Sequence, residues 1–378
     1  MHTRKDNIMK ILHLAEYASG GVATYLRNTI QYQLNSEDID ELILFNTKDR
    51  SEEFTFKSNK FKNIVYTYKR GITGVLRILK LRKIIDGYNP DVIHIHSTFA
   101  GLIRITYFLK KPEYKVVYCS HGWSFIQQNK TQVKKYIYSL IERILAIKTD
   151  LIVNISQNEQ RLAKQYKLPV KKMKTIYNSI PDNRKELSSN NLESVVERKG
   201  NVRSLLFIGR FDKAKGLEFL INNLDFKSNS IVLSVIGESI LNDSDSDLKK
   251  PNVNYLGWID NGKLDSYIMQ SDAVIIPSLW EGFGLVALEA MRKKKAVIAS
   301  NAGGLPEIVE DGKNGLIFEL GSKESLQKAI DRFNKLTLSE LAVMGENGYQ
   351  KYRNKYNFNL LNQKLLDEYM VLEEKNNG

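Results

Sequence analysis

The residues best suited to chemistry lie in PSLWEGFGLVALEAM, residues 277–291, where two glutamates stand eight positions apart around a pair of glycines. The stretch follows an apolar, strand-like run and predicts a helix from about Phe283. Gly282 and Gly284 would then let a ligand reach the free N–H groups of that helix, which is an arrangement that favours a phosphate. Glu281 in the loop would repel the phosphate, so it is expected to face an uncharged part of the ligand that carries hydroxyls.

Glu289 falls in the second turn of the same predicted helix, among apolar side chains. A carboxylate buried there is costly unless it is hydrogen-bonded, and ribose or hexose hydroxyls would provide the bonds. The alternative is a surface carboxylate paired with Lys293, four residues further along the helix. Both interpretations remain open at this point.

A second pair of candidates lies in FIGRFDKAKGLEFL, where a predicted strand ends at Gly209-Arg210 and a helix is predicted from about Lys215-Gly216. Arg210 can form two parallel hydrogen bonds to a phosphate, and Lys215 adds a point charge. Together they would offset the charge of a diphosphate as its glycosidic bond breaks, in place of a metal ion. The alternative is an ordinary basic loop.

The glycines Gly282 and Gly284 also fit the dinucleotide-binding pattern G-x-G-x-x-A, so a nicotinamide-dependent oxidoreductase must be considered. That pattern requires an acidic residue about twenty positions on, at the end of the next strand, to bind the ribose. Here the next strand ends in Ser300-Asn301-Ala302, and the first acidic residue after it is Glu307. The pattern is therefore weak evidence for a dehydrogenase.

These candidates would be positioned by alternating strand-like and helical segments, the pattern of parallel βαβ units. Strands are predicted at ILHLAEY, ELILFN, NIVYTY, DVIHIHS, KVVYCS and DLIVNIS, then at SLLFIGR, IVLSVIG, NVNYLG, AVIIPS, AVIAS and GLIFEL. The polar stretch PDNRKELSSNNLESVVERKGN between these two groups is the best candidate linker.

The sequence thus predicts an α/β protein of two doubly wound domains, residues 1–185 and 186–357. A C-terminal helix, residues 358–378, could pack back on the first domain. Ligands bind beyond the carboxyl ends of the strands in such sheets, so the two domains are expected to face a central cleft.

Composition limits the class of protein. At 378 residues and 42 % hydrophobic, the chain can bury two cores without disulfides or metals. Cys119 is the only cysteine, which excludes an intramolecular disulfide and fits a buried thiol in a reducing compartment. Neither a secretory signal nor a run of about eighteen apolar residues is present. We therefore expect a soluble, cytoplasmic protein.

The net charge of +13 favours polyanionic partners: nucleic acid, anionic lipid or phosphorylated small molecules. Six basic residues and no acidic one fall in KRGITGVLRILKLRK, Lys69–Lys83, interspersed with apolar residues as in a helix that lies on a membrane surface. The alternative is a helix packed by its apolar stripe with a solvated basic face. A second basic segment runs from Lys130 to Lys148. No nucleic-acid-binding module is recognisable, so nucleic acid is not expected as a partner.

Two sets of residues could suggest a metal. His94 and His96 alternate on one predicted strand, but no third ligand is apparent, so structural or ligand-contacting histidines are the better interpretation. The run DSDSD, residues 243–247, resembles the start of an EF-hand, but its sixth position is leucine and its twelfth asparagine. Neither a metal nor another cofactor is expected.

In order and spacing, these motifs together resemble the retaining glycosyltransferases of family four, which have the GT-B fold of two facing Rossmann-like domains. The resemblance rests on Gly-Arg-x4-Lys-Gly, on Pro-Ser-x2-Glu-Gly-Phe-Gly-x4-Glu-Ala about 65 positions later, and on Gly303-Gly304-x-Pro306-Glu307. It covers most of the chain, because Gly20-Gly21, DVIHIHS, His121-Gly122 and DGKNGLIF also match.

The resemblance implies a role for each matching residue. Glu289 would bind the nucleotide ribose and Glu281 a hydroxyl of the donor sugar, while Arg210 and Lys215 hold the diphosphate. His121 would lie beside the reacting sugar and is a catalytic candidate with Glu281, Arg210 and Lys215. The donor site would be completed by Gly21, Gly209, Phe283, Gly284 and Leu285, through glycine loops and backbone N–H groups. Leu279-Trp280 is bulkier than expected before this glutamate and could alter the donor pocket.

The implied function is a metal-independent glycosyltransferase that moves a sugar from a nucleotide diphosphate to a hydroxyl of a glycan or lipid-linked acceptor, with retention. A UDP-sugar is favoured as donor, although the residues themselves leave the base open. The implied pathway is bacterial lipopolysaccharide, O-antigen or capsule assembly, with the basic segments docked on the inner face of the cytoplasmic membrane. An NAD-dependent oxidoreductase and a catalytically silent sugar-nucleotide-binding protein remain as alternatives.

Overall fold

The computed structural model describes residues 8–127, 130–182, 202–238 and 250–374. The chain divides into two compact units, Met1–Ser179 with Phe358–Gly378 and Ile180–Asn357. The predicted domain boundary at residue 185, most of the predicted linker and the acidic run 243–247 lie outside the described residues.

The first unit is built on a parallel sheet of seven strands. They are β1 (Met9–Ala15), β2 (Ile39–Thr47), β3 (Phe61–Tyr66), β4 (Val92–His96), β5 (Lys115–Cys119), β6 (Leu151–Asn154) and β7 (Met173–Thr175), in the order β3-β2-β1-β4-β5-β6-β7. Its α-helices are α1 (Gly21–Leu34), α2 (Ile72–Tyr88), α3 (Gln132–Ala146), α4 (Gln157–Gln165) and the C-terminal helix (Phe358–Glu374); a 3-10 helix, Ala100–Phe108, follows β4.

The second unit is built on a parallel sheet of six strands. They are β8 (Arg203–Ile208), β9 (Ile231–Ile236), β10 (Val253–Gly257), β11 (Ala273–Ile276), β12 (Ala296–Ser300) and β13 (Gly315–Phe318), in the order β10-β9-β8-β11-β12-β13. Its helices are α5 (Leu217–Asn223), α6 (Asn261–Gln270), α7 (Leu285–Arg292), α8 (Leu305–Ile308), α9 (Lys323–Lys335) and α10 (Leu338–Lys355).

The predicted α/β class and doubly wound sheets are confirmed. All twelve predicted strands are present. Most are buried on both faces and are continuous apolar runs that stand out in the sequence, whereas the edge strands β3 and β10 are largely exposed. The three-residue β7 was not predicted, because Met173–Thr175 contains no apolar run. Each unit has its own apolar core, and the thiol of Cys119 is buried in the first unit as expected.

The strand order fixes where a ligand can bind in each unit. It reverses beside β1 and β4 in the first sheet and beside β8 and β11 in the second. Such a switch point separates two crossover connections and opens a crevice at the carboxyl ends of the two strands. The residues that follow these four strands are therefore the best placed to contact a ligand.

The C-terminal helix belongs to the first unit and packs against α1. The Tyr32 hydroxyl donates to Gln363 Oε1 at 2.7 Å, and the Tyr369 hydroxyl lies 2.6 Å from His94 Nδ1 on β4. The helix therefore completes the buried layer on this face of the sheet.

None of the helices in the described ranges combines the length and the apolar character that crossing a lipid bilayer requires.

Candidate active site

The loops that follow β8 and β11 are joined by backbone hydrogen bonds. The carbonyl of Ala214 accepts from the N–H groups of Leu279 at 2.8 Å and Trp280 at 3.2 Å. Gly216 permits this approach, since its φ is +71° and a Cβ there would lie 2.0 Å from the carbonyl oxygen of Pro277. The two motifs, far apart in the sequence, therefore form one site.

Lys215 and Glu281, both predicted catalytic residues, meet in this site. Lys215 Nζ lies 2.7 Å from Glu281 Oε2, and both side chains are mostly buried. Ser278 Oγ donates to the same oxygen at 3.4 Å. Trp280, the bulky residue before the glutamate, buries its indole nitrogen without a hydrogen-bond partner among the described residues. A ligand would thus meet an ammonium and a carboxylate side by side.

The loop after β8 is organised by Asp212, which sequence analysis missed. Asp212 Oδ2 lies 3.0 Å from Nη2 of the half-exposed Arg210, and Oδ1 accepts from the Lys215 N–H at 3.0 Å. Gly209 still extends the pairing of β8 with β9, because its N–H donates to the carbonyl of Ile236. Asp212 is the first residue of a turn that ends at Lys215. Aspartate is favoured at that position, so Asp212 could have been predicted from the sequence.

The helix after β11 begins at Leu285, two residues later than predicted, because Gly284 adopts a φ of +114°. Phe283 is buried and its ring centroid lies 5.7 Å from that of Tyr356, so any contact of Phe283 with a ligand must come from its backbone. Gly303 has a φ of +53°, and a Cβ there would lie 1.6 Å from the carbonyl oxygen of Glu281. This explains the Gly303-Gly304 motif as a close backbone contact.

Glu289 lies on the second turn of α7, partly exposed, and its carboxylate has no hydrogen-bond or ion-pair partner in the part of the chain that the structure describes. Its alternative partner Lys293 instead pairs with Asp265 at 2.7 Å, and Arg292 pairs with the same carboxylate at 2.6 Å. The surface-pair interpretation is therefore wrong. Burial raises the pKa of Glu289, Arg292 opposes that shift, and Asp265 adds to it.

In the first unit, Gly21 and His121 follow two strands of the sheet. Gly21 is the exposed first residue of α1, which begins after β1, and His121 lies directly after β5. His121 has a φ of +51°, an uncommon conformation for a side chain other than glycine, and it precedes Gly122 at +108°. Burial lowers the pKa of His121 to about 3, so the imidazole is neutral near pH 7.

His94 and His96 are fully buried on β4, and the expectation that no third ligand lies near them is wrong. The register of β1 against β4 pairs His13 with His94, so three imidazoles offer nitrogens within 4.8 Å of one another. Neighbouring central strands in a doubly wound sheet could have revealed His13. However, His13 Nδ1 lies 2.9 Å from His96 Nε2, a hydrogen-bond distance. Two nitrogen ligands of tetrahedral zinc would be about 3.3 Å apart, so the shorter distance between His13 and His96 indicates a hydrogen bond rather than a pair of zinc ligands.

The segment Lys69–Lys83 falls largely in α2 and is packed by its apolar stripe, which includes Ile78 and Leu81. Two of its six basic residues are engaged in ion pairs, Arg70 with Glu16 and Arg82 with Asp86, both at 2.6 Å. The packed-helix alternative therefore describes much of this segment.

The second basic segment has the opposite arrangement. Helix α3 buries polar residues, because Glu142 pairs with Arg104 at 2.8 Å and accepts from the Tyr118 hydroxyl at 2.8 Å. Ser139 is also buried. Large apolar side chains point outward instead: Val133, Tyr136, Ile137, Leu140 and Ile144.

Two family models match this chain. One, described as Glycosyltransferase Family 4, matches residues 19–184, and another, described as Glycosyl transferases group 1, matches residues 189–351. The chain is 34 % identical over 333 residues to an uncharacterised 41.2 kDa protein of the cps region of Klebsiella pneumoniae, with 85 % of this chain and 89 % of that protein covered.

Another relative is the UDP-Gal:alpha-D-GlcNAc-diphosphoundecaprenol alpha-1,3-galactosyltransferase of Escherichia coli, 26 % identical, with 78 % of each chain covered. Among solved structures, the Anabaena protein HepE in complex with UDP-glucose superposes with a TM-score of 0.76 at 19 % identity, covering 96 % of this chain and all of that one. The fold is GT-B, and the chain belongs to glycosyltransferase family 4.

Proposed function

We propose that the protein is a retaining glycosyltransferase that uses a UDP-sugar and a lipid-linked or glycan acceptor in capsule or O-antigen assembly. The observation that carries the proposal is the Glu289 carboxylate, which is partly buried and yet lacks a protein partner among the described residues. Paired ribose hydroxyls would satisfy such a carboxylate, because each can donate a hydrogen bond to one oxygen.

The neighbouring groups fit the rest of a nucleotide sugar. Phosphate oxygens would accept from N–H groups at the start of α7, near Gly284 and Leu285. Arg210 and Lys215 would add positive charge at the diphosphate, and Glu281 would accept from a sugar hydroxyl. His121 and Gly21 are the proposed contributions of the first unit.

The proposed reaction breaks the bond between the anomeric carbon and the leaving phosphate oxygen, whose electron pair departs with UDP. The acceptor oxygen bonds to the face that UDP leaves, and its proton passes to the leaving phosphate. Charge grows on the phosphate in the transition state, so the fixed cations Lys215 and Arg210 would lower the barrier without an obligatory metal ion.

The names of two similar proteins support the choice of substrates. HepE was crystallised with UDP-glucose, and the Escherichia coli relative is named for UDP-Gal and a diphosphoundecaprenol acceptor. The Klebsiella relative is encoded in a cps region. These facts support a UDP-sugar, a lipid-linked acceptor and a surface polysaccharide.

Thermal unfolding with UDP, GDP, ADP and NAD tests the donor class. A ligand at a hundred times its Kd adds about 2.7 kcal/mol to the free energy of unfolding, so binding is visible as a shift in Tm. We expect UDP to stabilise the wild type and the control Lys293→Ala, but not Glu289→Ala. Stabilisation by NAD alone would contradict the proposal.

We also propose an anionic membrane as a partner, docked mainly through α3 rather than through Lys69–Lys83. The outward apolar side chains of α3 are accompanied by Lys130, Lys134 and Lys148, and Lys148 Nζ lies 5.0 Å from the ring centroid of the half-exposed Phe108. An apolar face beside lysines fits acyl chains beside anionic head groups. Docking there would hold the enzyme peripherally on the inner leaflet, where a lipid-linked acceptor is available.

A further inference from the structure

Four side chains in the first unit form a continuous row of hydrogen bonds. Gln33 Oε1 lies 2.8 Å from His13 Nε2, His13 Nδ1 lies 2.9 Å from His96 Nε2, and His96 Nδ1 lies 2.9 Å from His121 Nε2. We call Gln33, His13, His96 and His121 the histidine row. It starts on α1, crosses the carboxyl ends of β1 and β4, and ends after β5.

With the Gln33 amide oxygen facing His13, as the structure places it, the row runs in one direction if every imidazole is neutral. The amide oxygen of Gln33 can only accept, so His13 must donate from Nε2 and is left to accept at Nδ1. His96 then donates from Nε2 and accepts at Nδ1, which requires His121 to donate from Nε2. Each bond thus determines the tautomer of the next ring, and Nδ1 of His121 is left with a lone pair.

Burial keeps the imidazoles of the row neutral. His13 and His96 are fully inaccessible to solvent, and burial lowers the pKa of His13 to about 4 and that of His96 well below its usual value. A neutral imidazole has one donor and one acceptor, which is the condition for a directional row.

His121 differs from the other members, because it is partly exposed and its Nδ1 has no hydrogen-bond partner in the described part of the chain. Its left-handed φ of +51° and the edge of the Tyr25 ring, 4.7 Å between centroids, hold the imidazole in place. The row therefore begins at a buried amide and ends at an imidazole that a ligand can reach.

We propose that Gln33, His13 and His96 are positioning residues that hold His121 as the Nε2–H tautomer, so that Nδ1 is the nitrogen presented to substrate. This inference rests on the proposed function, because the expected partner of His121 Nδ1 is a hydroxyl of the donor sugar, from which Nδ1 would accept a hydrogen bond. With the other tautomer, Nδ1 would carry a proton and could not accept that bond.

The orientation of the row is testable without any substrate. Two-bond 1H–15N correlation spectra of protein labelled with 15N-histidine distinguish the two tautomers of each ring. We expect His13, His96 and His121 to be Nε2–H tautomers, with their slowly exchanging N–H protons visible. A wild-type His121 with its proton on Nδ1, or a charged His121 at pH 7, would overturn the proposal.

Matched variants test whether the row controls His121. His96→Phe removes the acceptor of the His121 Nε2–H, whose signal should disappear and whose tautomer should no longer be fixed. His94→Phe removes an equally buried imidazole from the same strand that is not in the row, so His121 should be unchanged. Gln33→Leu removes the acceptor of the His13 Nε2–H and should loosen the tautomers.

Activity separates this proposal from the proposed function. UDP lacks the sugar hydroxyl, so we expect His96→Phe to bind UDP like the wild type but to transfer sugar at a rate lower by on the order of tenfold to a hundredfold. His94→Phe should transfer normally. A disrupted tautomer with normal transfer would refute the role of the row. Absence of UDP binding in the wild type would instead refute the proposed function and leave the tautomer result standing.

Discussion

At the level of single residues, the proposed site depends on a few charged side chains that hold one another in place. Lys215 is the most informative, because it contacts Glu281 through its side chain and Asp212 through its N–H. It is proposed to hold the diphosphate leaving group. Loss of one such cation should affect the transition state more than the ground state.

We expect Lys215→Ala to reduce the transfer rate by on the order of a hundredfold or more, as removal of a group that stabilises developing charge does. Lys213→Ala is a matched control, since Lys213 lies in the same loop but is exposed and makes no ion pair among the described residues. Initial rates of UDP release would measure both. Equal rates for the two variants would remove Lys215 from the mechanism.

Several of the proposed site residues stand out in the sequence because their chemistry is unusual for their surroundings. The carboxylate of Glu289 is unusual within the apolar run LVALEAM, and its alternative partner Lys293 is paired with Asp265 instead. Asp265 lies on α6, the helix that precedes α7 in the chain, and no local sequence pattern predicts a contact between them. His13 was missed for the same reason, because strand register, rather than spacing, brings it next to His94.

At the scale of elements, the site depends on loops that approach closely at glycines. Gly216 and Gly321 have nearly the same φ, +71° and +72°, but a Cβ would clash with Pro277 only at Gly216, and nothing lies within 4 Å at Gly321. This pair separates the cost of a strained backbone from the cost of lost loop contact.

We expect Gly216→Ala and Gly321→Ala to lower the free energy of unfolding by about 1 kcal/mol each through backbone strain. Only Gly216→Ala should also displace Lys215 from Glu281 and weaken UDP binding, by at least about tenfold, which corresponds to about 1.4 kcal/mol. Calorimetric titration with UDP would measure this. Similar UDP affinities in both variants would show that loop contact does not form the site.

Helix α3 gives a prediction about membranes. Ile137→Asp with Ile144→Asp should abolish sedimentation with phosphatidylglycerol vesicles, because both side chains point outward. The matched pair Ile72→Asp and Leu76→Asp, on the exposed side of α2, should reduce it much less. The reverse ranking would favour Lys69–Lys83 as the docking segment, and equal binding to uncharged vesicles would contradict an electrostatic contribution.

Strands were predicted well and helix faces less well, for a physical reason. Continuous apolar runs such as AVIIPS identify buried parallel strands directly. The periodic segment that contains α3 gave no indication that its apolar side faces outward, because the buried Arg104–Glu142 ion pair reverses the usual arrangement. That partnership depends on tertiary structure, which local periodicity does not encode.

At the scale of the whole molecule, stability should depend on pH through the buried histidines. The pKa of His13 falls to about 4 in the folded state, whereas it is about 6.5 in the unfolded state. Below about pH 6.5 the unfolded chain binds protons that the folded chain does not. The free energy of unfolding therefore falls as the pH is lowered from about 6.5 towards 4, by about 2 kcal/mol at pH 5 for His13.

Urea unfolding at pH 7.5, 6.5 and 5 would measure this loss. Trp258→Phe with Trp280→Phe would leave the buried Trp123 as the only tryptophan, so that fluorescence reports on the first unit. Adding His94→Phe should make the dependence on pH shallower, since one buried imidazole fewer must stay neutral. Constant stability from pH 7.5 to 5 would show that the histidines are not held neutral.

Retaining transfer of a sugar from UDP can be assayed directly. Purified protein would be incubated with UDP-, GDP- and ADP-α-sugars and a lipid-diphosphate N-acetylglucosamine acceptor, and the anomeric configuration of the product would be determined by NMR. We expect an α-linked product from a UDP-sugar, made by the wild type and Lys293→Ala but not by Glu289→Ala. A β-linked product, or transfer from a GDP- or ADP-sugar alone, would contradict this expectation.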